Sequence, residues 1–341
     1  MSDSVFLSRR YMAVSVATVV AVAVTWWQCS RATRYYTDEG VVWTTGYHVV
    51  YEAHAPLGDS IQAVFAACDA SASAYSPVSL LTRLNDNTTD SVDDIITRLH
   101  ECAVAVNASS DGLYDPTVRP LVRLWGFGDD GAAVSPTREV LDSVLDFVGL
   151  DKTSIVNGRL LKADPRVQLD FSSIAKGLAC DMVANMLSRN GVRNYMVEIG
   201  GEVVCAGTSN HGTPWRVSID APVVSDSVRH VSLVNVVASG HAVATSGNYR
   251  QWRDDGTRRV SHIINPVTGD AVVGDLVSVT VIADDCMTAD AWSTACMAMG
   301  DERVRRDFVG HGSLGVMTVK VDSLGRFVAW SNSRFADLVE Q

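Results

Sequence analysis

Lys176 is the residue whose position most needs explaining. It lies in Leu169-Asp170-Phe171-Ser172-Ser173-Ile174-Ala175-Lys176-Gly177, where an apolar run ends, two small residues turn the chain and a helix begins. A cation in the first turn opposes the helix dipole and makes little structural sense there. It makes good sense facing an anion, because the free N–H groups of a helix start can hold phosphate. The spacing is not that of a Walker A loop. The block runs on to Glu198-Ile199-Gly200-Gly201-Glu202, where paired glycines let backbone approach a ligand closely.

Other side chains carry chemistry only in combination. Asp290 and Thr294 stand at i and i+4 and so share one helix face. A carboxylate and a hydroxyl there can ligate a hard cation; taken alone, Asp290 is better read as a carboxylate favoured by the helix dipole. His262 sits in a polar turn beside Asn265-Pro266 and Thr268-Gly269. A lone His is more often structural, yet an imidazole can take up a proton near neutral pH. Tyr75, in Ser73-Ala74-Tyr75-Ser76-Pro77, can stack on a planar ring or simply mark a helix–loop junction. Asp111-Gly112-Leu113-Tyr114-Asp115-Pro116 imposes two turns that can clasp a ligand or form a structural Ω-loop. Trp125 and Phe127 beyond it can wall a pocket.

The elements that must position these residues are legible in outline. One strand is expected over Val41–Tyr51 and helices over Ser60–Ala72, Asp90–Asn107, Pro136–Val148 (Ser135 as N-cap) and Ile174–Asn190. Strands follow at Tyr195–Ile199, Trp215–Ile219, His230–Val237, Ala242–Thr245, Leu276–Ile282 and Gly315–Lys320, with a late helix at Ala289–Met299. The order mixes strand runs with helices and fits α+β better than a regular βαβ series. No repeat or linker separates two domains.

The 341 residues are 47% apolar, carry a net charge of −11 and have a pI of about 5.1. Such a balance gives nucleic acid no basic surface to meet. Seven cysteines show no zinc-ligand spacing and read as small buried hydrophobes. At the N-terminus, Arg9-Arg10 precede an uncharged run from Tyr11 to Trp27, the pattern of an export signal or anchor. An uncleaved anchor is the simplest form. Ser8-Arg9-Arg10 is half of a twin-arginine motif, and Cys29 lacks the small residues a lipobox places before an acylated cysteine. Residues 1–34 are therefore expected to be signal or membrane anchor, and 35–341 one catalytic domain.

Seven blocks in order resemble the FAD:protein FMN transferase family, also called the ApbE or thiamine-biosynthesis lipoprotein family. They are SAYSPVS…RLN, DGLYDPTVRPLVRLWGFG, LDFSSIAKGLACD, EIGGEV, ATSGNY, SHIINPVTG and TADAWSTA, spanning about residues 40–300. The resemblance implies a T-fold-like α+β domain with mixed or antiparallel sheets and packed helices, and FAD in an elongated cleft. It implies transfer of the FMN half of FAD to a Ser or Thr hydroxyl of an exported protein, typically a respiratory redox subunit, with release of AMP. Hydrolysis of FAD to FMN and AMP is a second reading, and flavin binding without turnover a third. Carried over by residue, Trp43, Tyr75, Leu113, Tyr114, Asp115, Asp170, Lys176 and Ile264 contact FAD. The Ser173 carbonyl, the Asp290 carboxylate and the Thr294 hydroxyl hold Mg²⁺, and His262 is the base. The catalytic domain is expected on the outer face of a bacterial inner membrane. The chain departs from the family pattern at Trp43-Thr44-Thr45, where Met-Gly-Thr is usual, at Ser172-Ser173, where glycines are usual, and at Asn265, where Asp is common.

Overall fold

The computed structural model describes residues 33–127, 135–222, 232–248, 252–254, 259–261, 263–272, 274, 276–322 and 324–340. The apolar N-terminal run, Cys29 and His262 lie outside them. No helix among the described residues is long and apolar enough to cross a membrane.

Among the described residues, the centre is an eight-stranded sheet in the order β1-β2-β5-β6-β9-β12-β13-β14. Its strands are β1 Arg34–Val42, β2 Thr45–Ala53, β5 Tyr195–Ile199, β6 Glu202–Ala206, β9 Ala242–Gly247, β12 Leu276–Ala283, β13 Gly315–Val321 and β14 Phe327–Ser331. Every ladder in it is antiparallel. Small hairpins add β3 Thr153–Val156 with β4 Arg159–Lys162, β7 Arg216–Asp220 with β8 Ser232–Val237, and β10 Trp252–Asp254 with β11 Arg259–Ser261. The architecture is α+β, as the element order predicts.

Period-two burial explains the sheet. Val49, Tyr51 and Ala53 of β2 and Tyr195, Val197 and Ile199 of β5 point to one face. There they meet helices α1 (Gly58–Ala72) and α6 (Ala175–Arg189). Three helices precede α6 in the chain besides α1 and α3 (Asp94–Ser109): α2 (Leu80–Asn85), α4 (Arg119–Leu124) and α5 (Arg138–Leu145). Helix α7 (Cys286–Met299) joins a cluster with α2, α3 and α6 and a second with β9, β12 and α8 (Asp301–Phe308). The other sheet face is covered by the β7–β8 hairpin and α9 (Ser333–Ala336), through Trp215, Val236 and Phe335.

Several boundaries differ from the sequence expectation. Val41–Tyr51 is not one strand: Trp43 and Thr44 turn the chain with φ of 49° and 65°, making a β1–β2 hairpin. Neither residue type announces a left-handed turn, so the break is invisible to pattern. Helix α3 starts at Asp94 rather than Asp90, because the Asp93 carboxylate caps the Ile96 amide at 2.9 Å and Ser91 bridges Arg159 instead. Helix α5 begins after Thr137, so neither Ser135 nor Pro136 has the role expected of it. Strand β6 was not anticipated. The Gly200-Gly201 pair, with φ of 66° and 103°, folds β5 directly back onto it.

Thr44 is exposed and β-branched, and its left-handed backbone is strained. Thr44→Gly is expected to raise stability by about 1 kcal/mol, measured by denaturant or thermal unfolding. An unchanged or lowered midpoint would show that the turn carries no strain.

Candidate active site

Helices α6 and α7 cross with their backbones almost in contact. A Cβ on Gly177 would lie 2.4 Å from the Cys286 carbonyl oxygen and 2.8 Å from the Met287 Cα, so only glycine fits. The start of α7 is held there from two sides. Asp181 of α6 accepts from the Cys286 and Met287 amides, each at 2.9 Å, and Asp285 accepts from Thr288 N at 2.8 Å. Burial pushes the Asp181 carboxyl up to about 6, although the two amides favour its charge.

This approach brings Asp290, 2% exposed, to the start of α6. Gly177 is the third residue of α6, where an amide has no partner within the helix, and it donates to Asp290 Oδ2 at 3.0 Å. The Ser173 carbonyl, just before the N-cap residue Ile174, accepts no hydrogen bond among the described residues. Lys176 Nζ lies 2.8 Å from Glu202 Oε1 and 3.9 Å from Asp290 Oδ2. Burial opposes the Lys176 charge, but the two carboxylates outweigh it and raise its pKa. The acids shift upward too: burial raises Asp290, and burial with the Asp290 charge raises Glu202. Lys176 thus has a structural partner that its sequence position does not disclose.

These groups line a cleft of about 500 Å³ that runs on past Tyr75, Leu113, Tyr114, Asp115, Asp170, Ser173, Ile264 and Thr294. Tyr75 is 75% exposed at its mouth. The Tyr114 hydroxyl meets Ser173 Oγ at 3.0 Å. The Asp115 carboxylate is committed to structure, accepting from Thr117 N at 2.7 Å and Leu150 N at 2.8 Å, so only its backbone is free to face a ligand. Asp170 accepts from Ser172 N at 2.9 Å and lies 3.9 Å from Arg119. Val118, Val122 and Phe127 supply an apolar wall. Trp43 does not line the cleft; it packs edge-on against Phe65 at 5.7 Å. His262 is outside the described residues, while Ile263, next to it, lines the cleft.

Glu202 and Ser246 are the lining residues whose roles sequence reasoning missed. Both lie inside quoted blocks, EIGGEV and ATSGNY, but neither has a local pattern that names a partner. Gly200 stays bare for a related reason: a Cβ there would meet Thr45 Oγ1 at 2.9 Å and Lys176 Cδ at 3.4 Å.

The donor set fits one hard cation. Two buried carboxyls face one ammonium, so the cluster is net negative when both are ionised, and Glu202 Oε2 is buried without a hydrogen-bond partner. A free carbonyl, a carboxylate and a hydroxyl are oxygen donors of the kind magnesium takes. No group of three or more His, Cys, Asp or Glu among the described residues is arranged to hold a metal, so such a site rests on one carboxylate with neutral oxygens.

A model of the ApbE family matches residues 42–312. The chain belongs to the ApbE family. It is similar to the FAD:protein FMN transferase of Vibrio cholerae serotype O1, 36% identical over 286 residues that cover 81% of this chain and 84% of that one. The Escherichia coli K12 protein of the same description is 34% identical, covering 82% and 81%. Among solved structures, flavin transferase ApbE from Vibrio cholerae superposes with a TM-score of 0.79 at 33% identity, covering 90% of this chain and 99% of that one. The apo flavinyl transferase ApbE of Pseudomonas stutzeri gives 0.80 at 32%, covering 90% and 97%. The antiparallel sheet and packed helices are thus the ApbE architecture.

Lys176→Met leaves Glu202 and Asp290 buried with no counter-charge, at an expected cost of about 3 kcal/mol near pH 8. Carboxyls with raised folded pKa values stabilise most when protonated, so the deficit shrinks as pH falls toward 5. Urea titrations across that range test it. A deficit independent of pH would mean the ammonium is not their counter-ion.

Proposed function

We propose that the protein transfers the FMN half of FAD to a Ser or Thr hydroxyl of an acceptor protein. The hydroxyl oxygen attacks the FMN-side phosphorus, the phosphoanhydride P–O bond breaks, and AMP leaves with the bridging oxygen. The observation that carries this reading is the unpaired Ser173 carbonyl at the start of α6, in a cleft that also holds Asp290 and Lys176. The relatives described as FAD:protein FMN transferase support it.

The domain at residues 35–341 is read as T-fold-like. Tyr75 would stack on the flavin, with the backbone at Leu113–Asp115 beside it. Asp170, Lys176 and Ile264 would line the path of the nucleotide. Lys176 can meet the diphosphate only while keeping Glu202 neutralised. Trp43, packed on Phe65 outside the cleft, would contact FAD from the β1–β2 turn. The Ser173 carbonyl, Asp290 and Thr294 would hold magnesium, whose charge offsets that of the diphosphate. His262 would accept the proton of the attacking hydroxyl. Residues 11–27 would anchor the domain at the outer face of the inner membrane, near acceptors that are subunits of respiratory redox complexes. Retention of the full chain in carbonate-washed membranes would support the anchor, and its release would count against it.

The deciding assay incubates the full chain with FAD, Mg²⁺ and a flavin-acceptor protein, following in-gel flavin fluorescence and AMP. Covalent flavin and AMP in equal amounts are expected. Free FMN and AMP at the same rate without acceptor would make the enzyme a hydrolase, and neither product would leave a binding protein. Asp290→Ala is expected to abolish turnover while weakening FAD binding less, and His262→Ala to slow transfer far more than binding. Full activity in chelator would remove the metal assignment.

A further inference from the structure

We propose that Ser246 and Ser293 form a one-way chain of hydroxyls that draws the Thr294 proton onto Ser246 and leaves the Thr294 oxygen free to ligate a cation. Both serines are then positioning residues. The inference rests on the reading of Asp290 and Thr294 as magnesium ligands.

The direction follows from counting protons. Ser293 Oγ lies 2.9 Å from the Asp290 carbonyl oxygen and 2.7 Å from Ser246 Oγ. Ser246 Oγ lies 3.2 Å from Thr294 Oγ1. A carbonyl only accepts, so Ser293 spends its single proton on Asp290. Ser293 must then accept from Ser246. With the Ser246 proton used, the remaining contact is a hydrogen bond only if Thr294 donates it. No other assignment makes all three contacts hydrogen bonds. Ser293 is fully buried, so water does not compete for its proton.

The consequence falls on Thr294, which shares the cleft wall with Asp290. A hydroxyl serves a cation only through its lone pairs, with its proton directed elsewhere. Here the proton goes to β9, and the chain returns to the backbone of Asp290 itself. The Thr294 hydroxyl is thereby oriented through a strand of the sheet. Partners of this kind behind a metal ligand set its orientation, and losing one costs about 10–100-fold in affinity.

Ser293 gives the sharper test, because it does not line the cleft. In Ser293→Ala, Ser246 loses its acceptor and donates to Thr294 instead, which forces the Thr294 proton toward the cation. In Ser246→Ala the Thr294 rotor is released. Mn²⁺ binding to the full chain in detergent, read by the loss of the free-ion EPR signal, is expected to weaken about 10-fold in each variant. In Ser293→Ala, whose side chain does not line the cleft, FAD binding without metal and the thermal midpoint are expected to stay near wild type. A fall in midpoint with unchanged Mn²⁺ affinity would make the serines merely structural and overturn the chain. Asp290→Asn separates the two levels of inference. If it abolishes Mn²⁺ binding while both serine variants bind as wild type, the chain alone fails. If it binds Mn²⁺ as wild type, the cation site fails and takes the chain with it.

Discussion

The hydrogen bond from the Gly177 amide to Asp290 Oδ2 exists only because α6 and α7 touch backbone to backbone. A side chain at position 177 would separate the helices, and Asp290 would lose both its amide and its place beside Lys176. Asp181 works toward the same contact from the next turn of α6, capping two amides at the start of α7. The motif that runs from Asp170 to Asp181 is therefore one device. Its first half faces the cleft, and its second half fixes the helix that forms the opposite wall.

Charge explains why this wall is built as it is. A chain of net charge −11 must hold a dianionic diphosphate if it acts on FAD. The cluster of Lys176, Glu202 and Asp290 does not answer that with surplus positive charge, since it is itself net negative when ionised. On the proposed function, a divalent cation would complete the arrangement. Glu202, 4% exposed and with one oxygen unpartnered, keeps the lysine directed inward. Without it the ammonium would be free to extend into solvent.

The departures from the family pattern fall where backbone atoms matter more than side chains. Ser173 in place of glycine leaves the carbonyl available, and its hydroxyl finds Tyr114. Ser172 ties its amide to Asp170. The replacement at Thr44 is different in kind, because the turn keeps a left-handed backbone without the residue that adopts it freely. Trp43 beside it is drawn into the core by Phe65.

Local periodicity made α1, α6 and β5 legible, because one face of each is apolar at the spacing its geometry demands. It did not reveal the hairpin at Trp43-Thr44, whose residues carry no turn signature, nor β6, which follows directly from two glycines. For the site, residue type alone pointed to Lys176; the order of seven blocks identified the family, and only through that resemblance were Tyr75, Asp170, Ser173, Asp290 and Thr294 named as site residues. Which of these side chains meet was decided only by tertiary structure. Lys176 and Glu202 are neighbours because β6 folds back beside the start of α6, and Ser246 reaches Ser293 and Thr294 because α7 packs on β9. Chemical type is a property of each residue and spacing a property of each segment. Hydrogen bonds and ion pairs require approach within about 3 Å, and over such separations in sequence only the packing of helices on the sheet sets that distance.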